Sequence, residues 1–568
     1  MKFLLAAINA KYIHSNPAIY SLRAYAGEEM RPYIELAEYT INQSLQEIMA
    51  DIYRREPDAI GFSCYIWNWS MVQGLLTELP KVLPDTDIWL GGPEVTYDAE
   101  ELLRSGDFPY VKGIMVGEGE ATFRELMEYY TYKGNEPRYL KDISGLCLRS
   151  GYTPPRGLID LNEIPFLYDD LTPFANKIIY YETSRGCPFK CSYCLSSIDK
   201  SVRFRGIDVI KRELQFFLDH NVKQVKFVDR TFNCSREHAM EIWRYIYEND
   251  NGVTNFHFEI SADLLSDEEI ELLHKLRPGL AQFEIGVQST NPDTLQAIRR
   301  IMDIRRLEQV VDVIHRGRNI HQHLDLIAGL PYEDYESFAH SFDRVYRMRP
   351  EQLQLGFLKV LKGSLMHEKA KEYGIFYTDC PPYEVLCTKW LSYEDVLRLK
   401  GIEEMVELYY NSNQFTHTLP ILESVFGSPF AMFEALADFY RANGYFINSP
   451  ARAYRYQVML EFARRHDRDR EPLYRELLLY DMYLRENLKS RPDFAKDLTP
   501  YKKRIRDFFG RGGRQRNLIH LEPFEYPVWD EEALKAGSKN ETEIFVLFDY
   551  EKRSPLTHEA ATERNADL

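Results

Sequence analysis

Short apolar runs alternate with helix-length amphipathic stretches twice along this chain, and such alternation restricts a fold to parallel sheets covered by helices. In the first series, residues 3–8, 33–41, 59–65 and 87–90 read as strands, and 17–26, 44–55 and 70–82 read as helices. Residues 114–116 form a last strand pattern, followed by a helix over 121–130. Ligands of open parallel sheets bind beyond the carboxyl ends of the strands. That edge carries 9–14, 63–68, 91–95 and 117–120, including Gly91-Gly92 and Gly117-Glu118-Gly119-Glu120. Glycines there let backbone approach a large ligand closely.

The second series begins with a strand over 177–181 and continues through 225–233, 256–263, 282–289, 323–331 and 352–360. Amphipathic stretches such as 208–219 and 235–247 lie between them. Six β/α units predict a partial barrel whose chemistry sits at the carboxyl ends of its strands. Directly after the first of these strands stand Cys187, Cys191 and Cys194, spaced C-x3-C-x2-C. Three thiolates this close can hold three irons of a 4Fe–4S cluster and leave one metal position open. The next cysteine is Cys234. The competing reading is a zinc site or structural cluster completed by a remote fourth ligand.

The remaining composition narrows the setting. The chain has 568 residues, which predicts two to four domains, and 45% hydrophobic with 28% charged residues is ordinary for a globular protein. A formal net charge of −17 argues against indiscriminate nucleic-acid binding. Three of the eight cysteines cluster and the others are scattered, unlike a disulfide framework, so a reducing cytoplasm is expected. The apolar start, residues 1–8, is too short for a signal peptide. No apolar run reaches the ~18 residues of a membrane span.

From residue 391 onward the pattern is mostly helical, with helix spacing over 396–409, 419–443 and 472–488 and no metal or phosphate motif. Residues 451–520 hold 18 Lys and Arg against 10 Asp and Glu. Lys502, Lys503, Arg504, Arg506, Arg511 and Arg514 crowd one segment with Phe508 and Phe509 interleaved. Clustered arginines with aromatics suit phosphate contact. A solvated helix face, or a patch paired with the acidic remainder, accounts for them equally. The tail beyond about residue 556 is polar and expected to fray.

The cysteine run Glu182-Thr183-Ser184-Arg185-Gly186-Cys187-Pro188-Phe189-Lys190-Cys191-Ser192-Tyr193-Cys194, with the ordered strands behind it, resembles the radical S-adenosylmethionine (SAM) superfamily. The glycine-rich edge of the first series, Ser63, Gly91-Gly92-Pro93-Glu94 and Gly117-Glu118-Gly119-Glu120, resembles the cobalamin-binding domain that precedes such domains. The order of parts is similar to cobalamin-dependent radical SAM enzymes over about residues 1–375, and the helical remainder is similar to an uncharacterised extension of one branch. The resemblance implies an α/β chain divided into a Rossmann-like cobalamin-binding domain (1–140), a linker (141–172), a partial (β/α)6 barrel (173–375) and a mostly helical C-terminal domain (376–568).

It further implies cluster ligation by Cys187, Cys191 and Cys194. Contacts to SAM are implied for Phe189, Tyr193, Asp229, Thr231, Ser261, Glu284, Gln288, Ile327, Gly329 and Leu358. Contacts to cobalamin are implied for Asn9, Tyr12, Ser63, Tyr65, Trp67, Asn68, Gly91, Gly92, Pro93, Glu94, Gly117, Glu118 and Gly119. The D-x-H-x-x-G loop whose histidine ligates cobalt in cobalamin mutases is absent, so a His-off cobalamin is expected, with His14 a hydrogen-bonding loop residue. The implied chemistry is methylation of an unactivated carbon through a 5′-deoxyadenosyl radical and methylcobalamin, with ferredoxin or flavodoxin as electron donor. The basic segment points to a tRNA nucleoside as substrate. The alternatives are cyclisation or rearrangement of a small metabolite or peptide, and a non-catalytic cobalamin sensor or carrier.

Overall fold

The computed structural model describes residues 1–132, 136–198, 201–488, 490–511 and 518–565. Its first sheet has seven strands: β1 (Phe3–Asn9), β2 (Ile34–Thr40), β3 (Ala59–Ser63), β4 (Asp87–Gly91), β5 (Val111–Met115), β6 (Leu146–Leu148) and β7 (Gly151–Tyr152), in the order β2-β1-β3-β4-β5-β6-β7. The first five run parallel. Every residue of β1 is buried, as a strand covered by helices on both faces requires. Side-chain caps fix where the covering helices start. Asn16 caps Pro17–Ala26, and Ser44 forms a reciprocal capping box with Glu47 ahead of Leu45–Arg55.

The segment expected to be a linker does more than connect. Its strands β6 and β7 pair antiparallel onto the edge of the first sheet. The apolar run that does this, Leu146-Cys147-Leu148, is too short to stand out as a strand in the sequence, yet Leu146 and Cys147 are buried.

The second sheet is the expected six-stranded parallel array: β8 (Ile179–Tyr181), β11 (Gln224–Phe227), β12 (Asn255–Ile260), β13 (Ala281–Gln288), β14 (His321–Ala328) and β15 (Gln352–Phe357), in that spatial order. Between β8 and β11 a short antiparallel ladder, β9 (Ser184–Arg185) with β10 (Arg203–Phe204), closes the base of the cysteine loop. Along β13 the odd positions Ala281, Phe283, Ile285 and Val287 are buried under the helices. The even positions Gln282, Glu284, Gly286 and Gln288 are half-buried on the opposite face.

A hairpin of β16 (Phe376–Tyr377) and β17 (Val385–Cys387) leads into helices Tyr393–Met405, Thr418–Glu423, Pro429–Ala442, Arg455–His466 and Glu471–Arg485. The single helix expected over 419–443 is two helices, because Ser428 and Pro429 start a new one as N-cap and first-turn residue. The chain then builds an antiparallel sheet of β18 (Ile519–Phe524), β19 (Ile544–Arg553) and β20 (Ala560–Asn565), so the tail expected to fray instead pairs as an edge strand. One buried apolar cluster runs from the first sheet through the barrel helices into the C-terminal helices. Among the described residues no helix is long and apolar enough to cross a membrane.

Candidate functional site

Two cavities lie at the carboxyl ends of the two parallel sheets. The larger, about 600 Å³, is walled on one side by Ser63, Tyr65, Gly91, Gly92, Pro93, Gly117, Glu118 and Gly119. On the other side stand Glu182, Ser184, Arg185, Gly186 and Val228 of the barrel. Much of this wall is bare backbone. Gly117 has φ +81° and nothing within 4 Å of where a Cβ would stand. Gly92 has φ +110°, and a Cβ there would lie 2.5 Å from the Cys64 carbonyl oxygen. A side chain at either position would be strained, and at Gly92 it would also clash.

Eight of the thirteen residues expected around cobalamin therefore line one cavity, and five do not. Asn9 and Asn68 are buried and brace the strand ends. Asn9 Nδ2 donates to the His14 carbonyl at 3.1 Å and to Glu38 at 3.0 Å. Asn68 Nδ2 donates to the carbonyls of Ile8 (3.0 Å) and Ser63 (2.9 Å). Trp67 stacks on Tyr65 at 4.3 Å and donates to the Ile8 carbonyl. Tyr12 is exposed outside the cavity. Glu94 turns away to accept a hydrogen bond from Tyr383, and burial raises its carboxyl above the ordinary range. His14 is outside too, with Nδ1 2.6 Å from the Tyr180 hydroxyl.

The second cavity, about 190 Å³, is lined by Cys187, Cys191 and Cys194 together with Phe189, Tyr193, Thr231, Ser261, Glu284 and Gln288. Gly186 makes the entry turn. Its φ is +102°, and a Cβ would lie 1.9 Å from the Ser201 carbonyl oxygen, so only glycine fits. Cys187 Sγ lies 3.6 Å from Thr231 Oγ1, and Arg300 Nη1 lies 3.7 Å from Cys191 Sγ. Cys234 is not among the lining residues. Among the described residues no three His, Cys, Asp or Glu side chains stand close enough to hold one metal ion.

Four expected SAM residues stand behind this cavity. Asp229 is fully buried and accepts from Thr183 N (3.0 Å), Thr183 Oγ1 (2.6 Å) and Ser184 Oγ (2.6 Å). Burial pushes its carboxyl up to about 6 despite these donors. It thus fixes the strand that delivers the cysteine loop. Ile327 and Leu358 belong to an apolar cluster that also packs Tyr193 and Val385. Gly329, at φ +88°, lets Val385 come within 2.7 Å of its missing Cβ.

Several lining residues carried no motif. Glu259 and Asp325 precede Ser261 and Ile327 by two positions on their strands, so the strand period places them on the same face. Burial raises Glu259 to about 7 and raises Asp325 as well. Glu284 goes the other way. Lys226 Nζ at 2.9 Å and His257 Nε2 at 3.0 Å overcome its burial and hold it well below the carboxylate range. Gln288 adopts φ +72° where the β13–β14 register shifts, a strained backbone at the cavity wall. Arg300 and Arg230 also line the cavity and carried no pattern in the sequence to mark them.

Seven cations of the basic stretch are paired within the C-terminal region. Arg452 pairs with Glu486, Arg464 and Arg475 with Glu471, Arg470 with Asp467, Arg485 with Glu559, Arg491 with Glu522, and Lys496 with Glu525 and Glu543. Lys502, Lys503, Arg504 and Arg506 are exposed on helix Lys502–Arg511, with Arg504 4.7 Å from the Phe545 ring. Arg511 ends that helix, and Arg514 lies outside the described residues.

Comparison with known proteins accounts for both cavities. A family model described as the B12 binding domain matches residues 4–127, and one described as the radical SAM superfamily matches 181–345. The chain joins a B12-binding domain to a radical SAM domain. A third model, a protein of unknown function (DUF4080), matches 371–548. The cobalamin-dependent radical SAM methyltransferase TokK of Streptomyces tokunonensis is 25% identical over 364 residues, covering 56% of this chain and 50% of TokK. The match thus spans half of that relative's length.

Among solved structures, the cobalamin-dependent SAM radical enzyme OxsB with aqua-cobalamin bound superposes with a TM-score of 0.59 at 14% identity, over 89% of this chain and 84% of OxsB. The radical SAM methyltransferase TsrM from Kitasatospora setae, with cobalamin and a 4Fe–4S cluster bound, gives 0.54 at 17% identity, over 67% and 79%. These likenesses establish a shared fold. A radical SAM domain implies a 4Fe–4S cluster, SAM and a reductant, and a B12-binding domain implies cobalamin. The residues fit these groups: three thiols and no fourth share one cavity, and a glycine-walled slot faces it.

Proposed function

We propose that this chain is a cobalamin-dependent radical SAM methyltransferase acting on an unactivated carbon. The observation that carries this reading is the junction of the two cavities. Arg230 lines both, so the thiol cavity and the glycine-walled cavity meet beside one side chain. When bound, the cluster and SAM supply a 5′-deoxyadenosyl radical and cobalamin supplies a methyl group.

The chain's own residues then have defined tasks. Cys187, Cys191 and Cys194 hold the cluster and leave one iron free. Phe189, Tyr193, Thr231, Ser261, Glu284 and Gln288 surround SAM, while Asp229, Ile327, Gly329 and Leu358 set the wall behind them. Glu284, kept ionised by Lys226 and His257, offers a fixed negative charge to a cationic ligand. Ser63, Tyr65, Gly91, Gly92, Pro93, Gly117, Glu118 and Gly119 cradle the corrin, Asn9, Trp67, Asn68 and Glu94 brace the surrounding loops, and Tyr12 stays exposed outside the cavity. No histidine lines the larger cavity among the described residues, which supports a His-off cobalamin.

In this reading the domain divisions at 172 and 375 are kept, and the first domain extends past 140 to take in β6 and β7. All eight cysteines are unpaired, which favours a reducing cytoplasm and a donor such as ferredoxin or flavodoxin.

The test is an anaerobic assay of reconstituted protein with methyl-labelled SAM and cell-extract fractions. Methyl transfer into one fraction, with S-adenosylhomocysteine and 5′-deoxyadenosine as products, is expected. 5′-Deoxyadenosine without label transfer would point to cyclisation or rearrangement, and neither product to a sensor or carrier. A tRNA nucleoside as acceptor rests on the exposed Lys502, Lys503, Arg504 and Arg506. It predicts that tRNA from a strain lacking the gene loses one modified-nucleoside mass.

A further inference from the structure

Four arginines line the two cavities: Arg156, Arg185, Arg230 and Arg300. Three of them are committed to the protein. Arg156 donates to Glu125 at 2.9 Å and to the Ser144 carbonyl. Arg185 pairs with Glu182 at 2.8 Å and Glu120 at 2.9 Å. Arg300 donates to the Gly286 carbonyl and approaches Cys191 Sγ. The Arg230 carbonyl accepts from Thr231 Oγ1 at 2.8 Å, but its guanidinium makes no hydrogen bond, and no ion pair within 4 Å, to any described residue, and the side chain is exposed into the cavities.

Its position is fixed nonetheless. Asp229 on one side is locked by three donors from Thr183 and Ser184, and Thr231 on the other touches Cys187. The backbone therefore delivers the guanidinium to the one place common to both cavities. A guanidinium exposed into a cavity and matched there to a carboxylate or phosphate gains a bidentate, charge-assisted contact. Glu259, which lines the smaller cavity with it, is pushed up to about 7 by burial although the Arg230 charge acts to lower it.

We propose that Arg230 anchors an anionic group, carboxylate or phosphate, of the methyl acceptor at the junction of the two cavities, so that the substrate is an acid rather than a neutral hydrophobe. This rests on the reading given under Proposed function. The anchored group would fix the acceptor between the two cavities, with its reacting carbon at a set distance from the charged end.

Two measurements test it on the protein carrying cluster and cobalamin. In the first, phenylglyoxal adducts are mapped by peptide mass spectrometry with inorganic phosphate, with acetate or with SAM present. Arg230 is expected to react faster than Arg156, Arg185 and Arg300, and phosphate or acetate to protect it while SAM alone does not. Full protection by SAM alone would assign the anion to SAM's own carboxylate and overturn the proposal, as would protection by none of the three.

In the second, label from methyl-SAM is followed into size-filtered extract separated by anion exchange into acidic and neutral pools. Label is expected in the acidic pool. Arg230→Gln should raise the KM for that pool by roughly 10- to 100-fold, and Arg230→Lys should recover part of the loss. The absorbance of cluster and cobalamin confirms that both variants are loaded. Label confined to the neutral pool, or an unchanged KM in Arg230→Gln, would refute the anchor while leaving methyl transfer intact. No label with the wild-type protein in either pool, or in the RNA held back by the filter, would instead mark failure of the methyltransferase reading.

Discussion

At the scale of single residues, the cysteine loop depends on groups that are not ligands. Replacing Cys191 by Ala should abolish the visible absorbance of a reconstituted cluster, and a full 4Fe–4S spectrum in that variant would remove the central assignment. Gly186→Ala should be nearly as damaging, because a Cβ would meet the Ser201 carbonyl at 1.9 Å and φ is +102°; cluster content per chain measures it. Glu259 offers a titration test. Its carboxyl ionises near 4.3 when unfolded and at about 7 in the fold, so between those values the folded chain keeps a proton that the unfolded chain has lost. Its contribution to stability therefore falls as pH rises from about 4.5 to 7. Glu259→Gln should flatten that decline, visible as a smaller drop in melting temperature between pH 5 and pH 8 than in the wild type. The cysteine spacing and Gly186 were plain in the sequence. The charged interior was not, since Lys226, His257 and Glu284 come from three strands and meet only through the sheet register.

At the scale of elements, the parallel strands were legible because buried strands are continuous apolar runs. Helix ends were legible where a cap marks them, as at Ser44, and β6 was not, because a three-residue strand has no period to detect. The connection between the first sheet and the end of the barrel was also invisible in sequence. There the turn after β4 packs on the segment after β15. Lys362 Nζ lies 2.6 Å from Asp98, Tyr383 donates to Glu94, and the missing Cβ of Gly363 would lie 2.3 Å from the Tyr97 ring. Tyr383→Phe leaves the buried Glu94 carboxyl without its donor and should cost about 1–3 kcal/mol. The expected signs are a lower melting temperature and less cobalamin retained after gel filtration, with the cluster spectrum unchanged.

At the scale of the whole molecule, one large apolar cluster runs through all three parts, beside smaller separate clusters. A chain ending at residue 375 would expose the face that Leu399, Ile402, Phe433 and Tyr440 now cover, and should aggregate on size-exclusion chromatography instead of eluting as a monodisperse species. Net charge summed over a window is an incomplete guide at this scale. The local excess of cations over 451–520 looked like a polyanion surface, yet its partners lie partly beyond it, at Glu522, Glu525, Glu543 and Glu559. A linear window cannot see charges that the fold brings back.

Arg185 stands two residues before Cys187 and reaches across to Glu120, while Arg203 on the paired strand holds Glu118. The loop that presents the thiols and the glycine loop of the other cavity are thus tied by the same salt bridges. A ligand that shifts either loop loads these bridges, and any coupling that results acts in both directions. Thermodynamic linkage requires the factor by which a bound cluster changes cobalamin affinity to equal the factor by which cobalamin changes cluster affinity. The two cofactors would be loaded as a cooperative pair, with Arg185 as the coupling element.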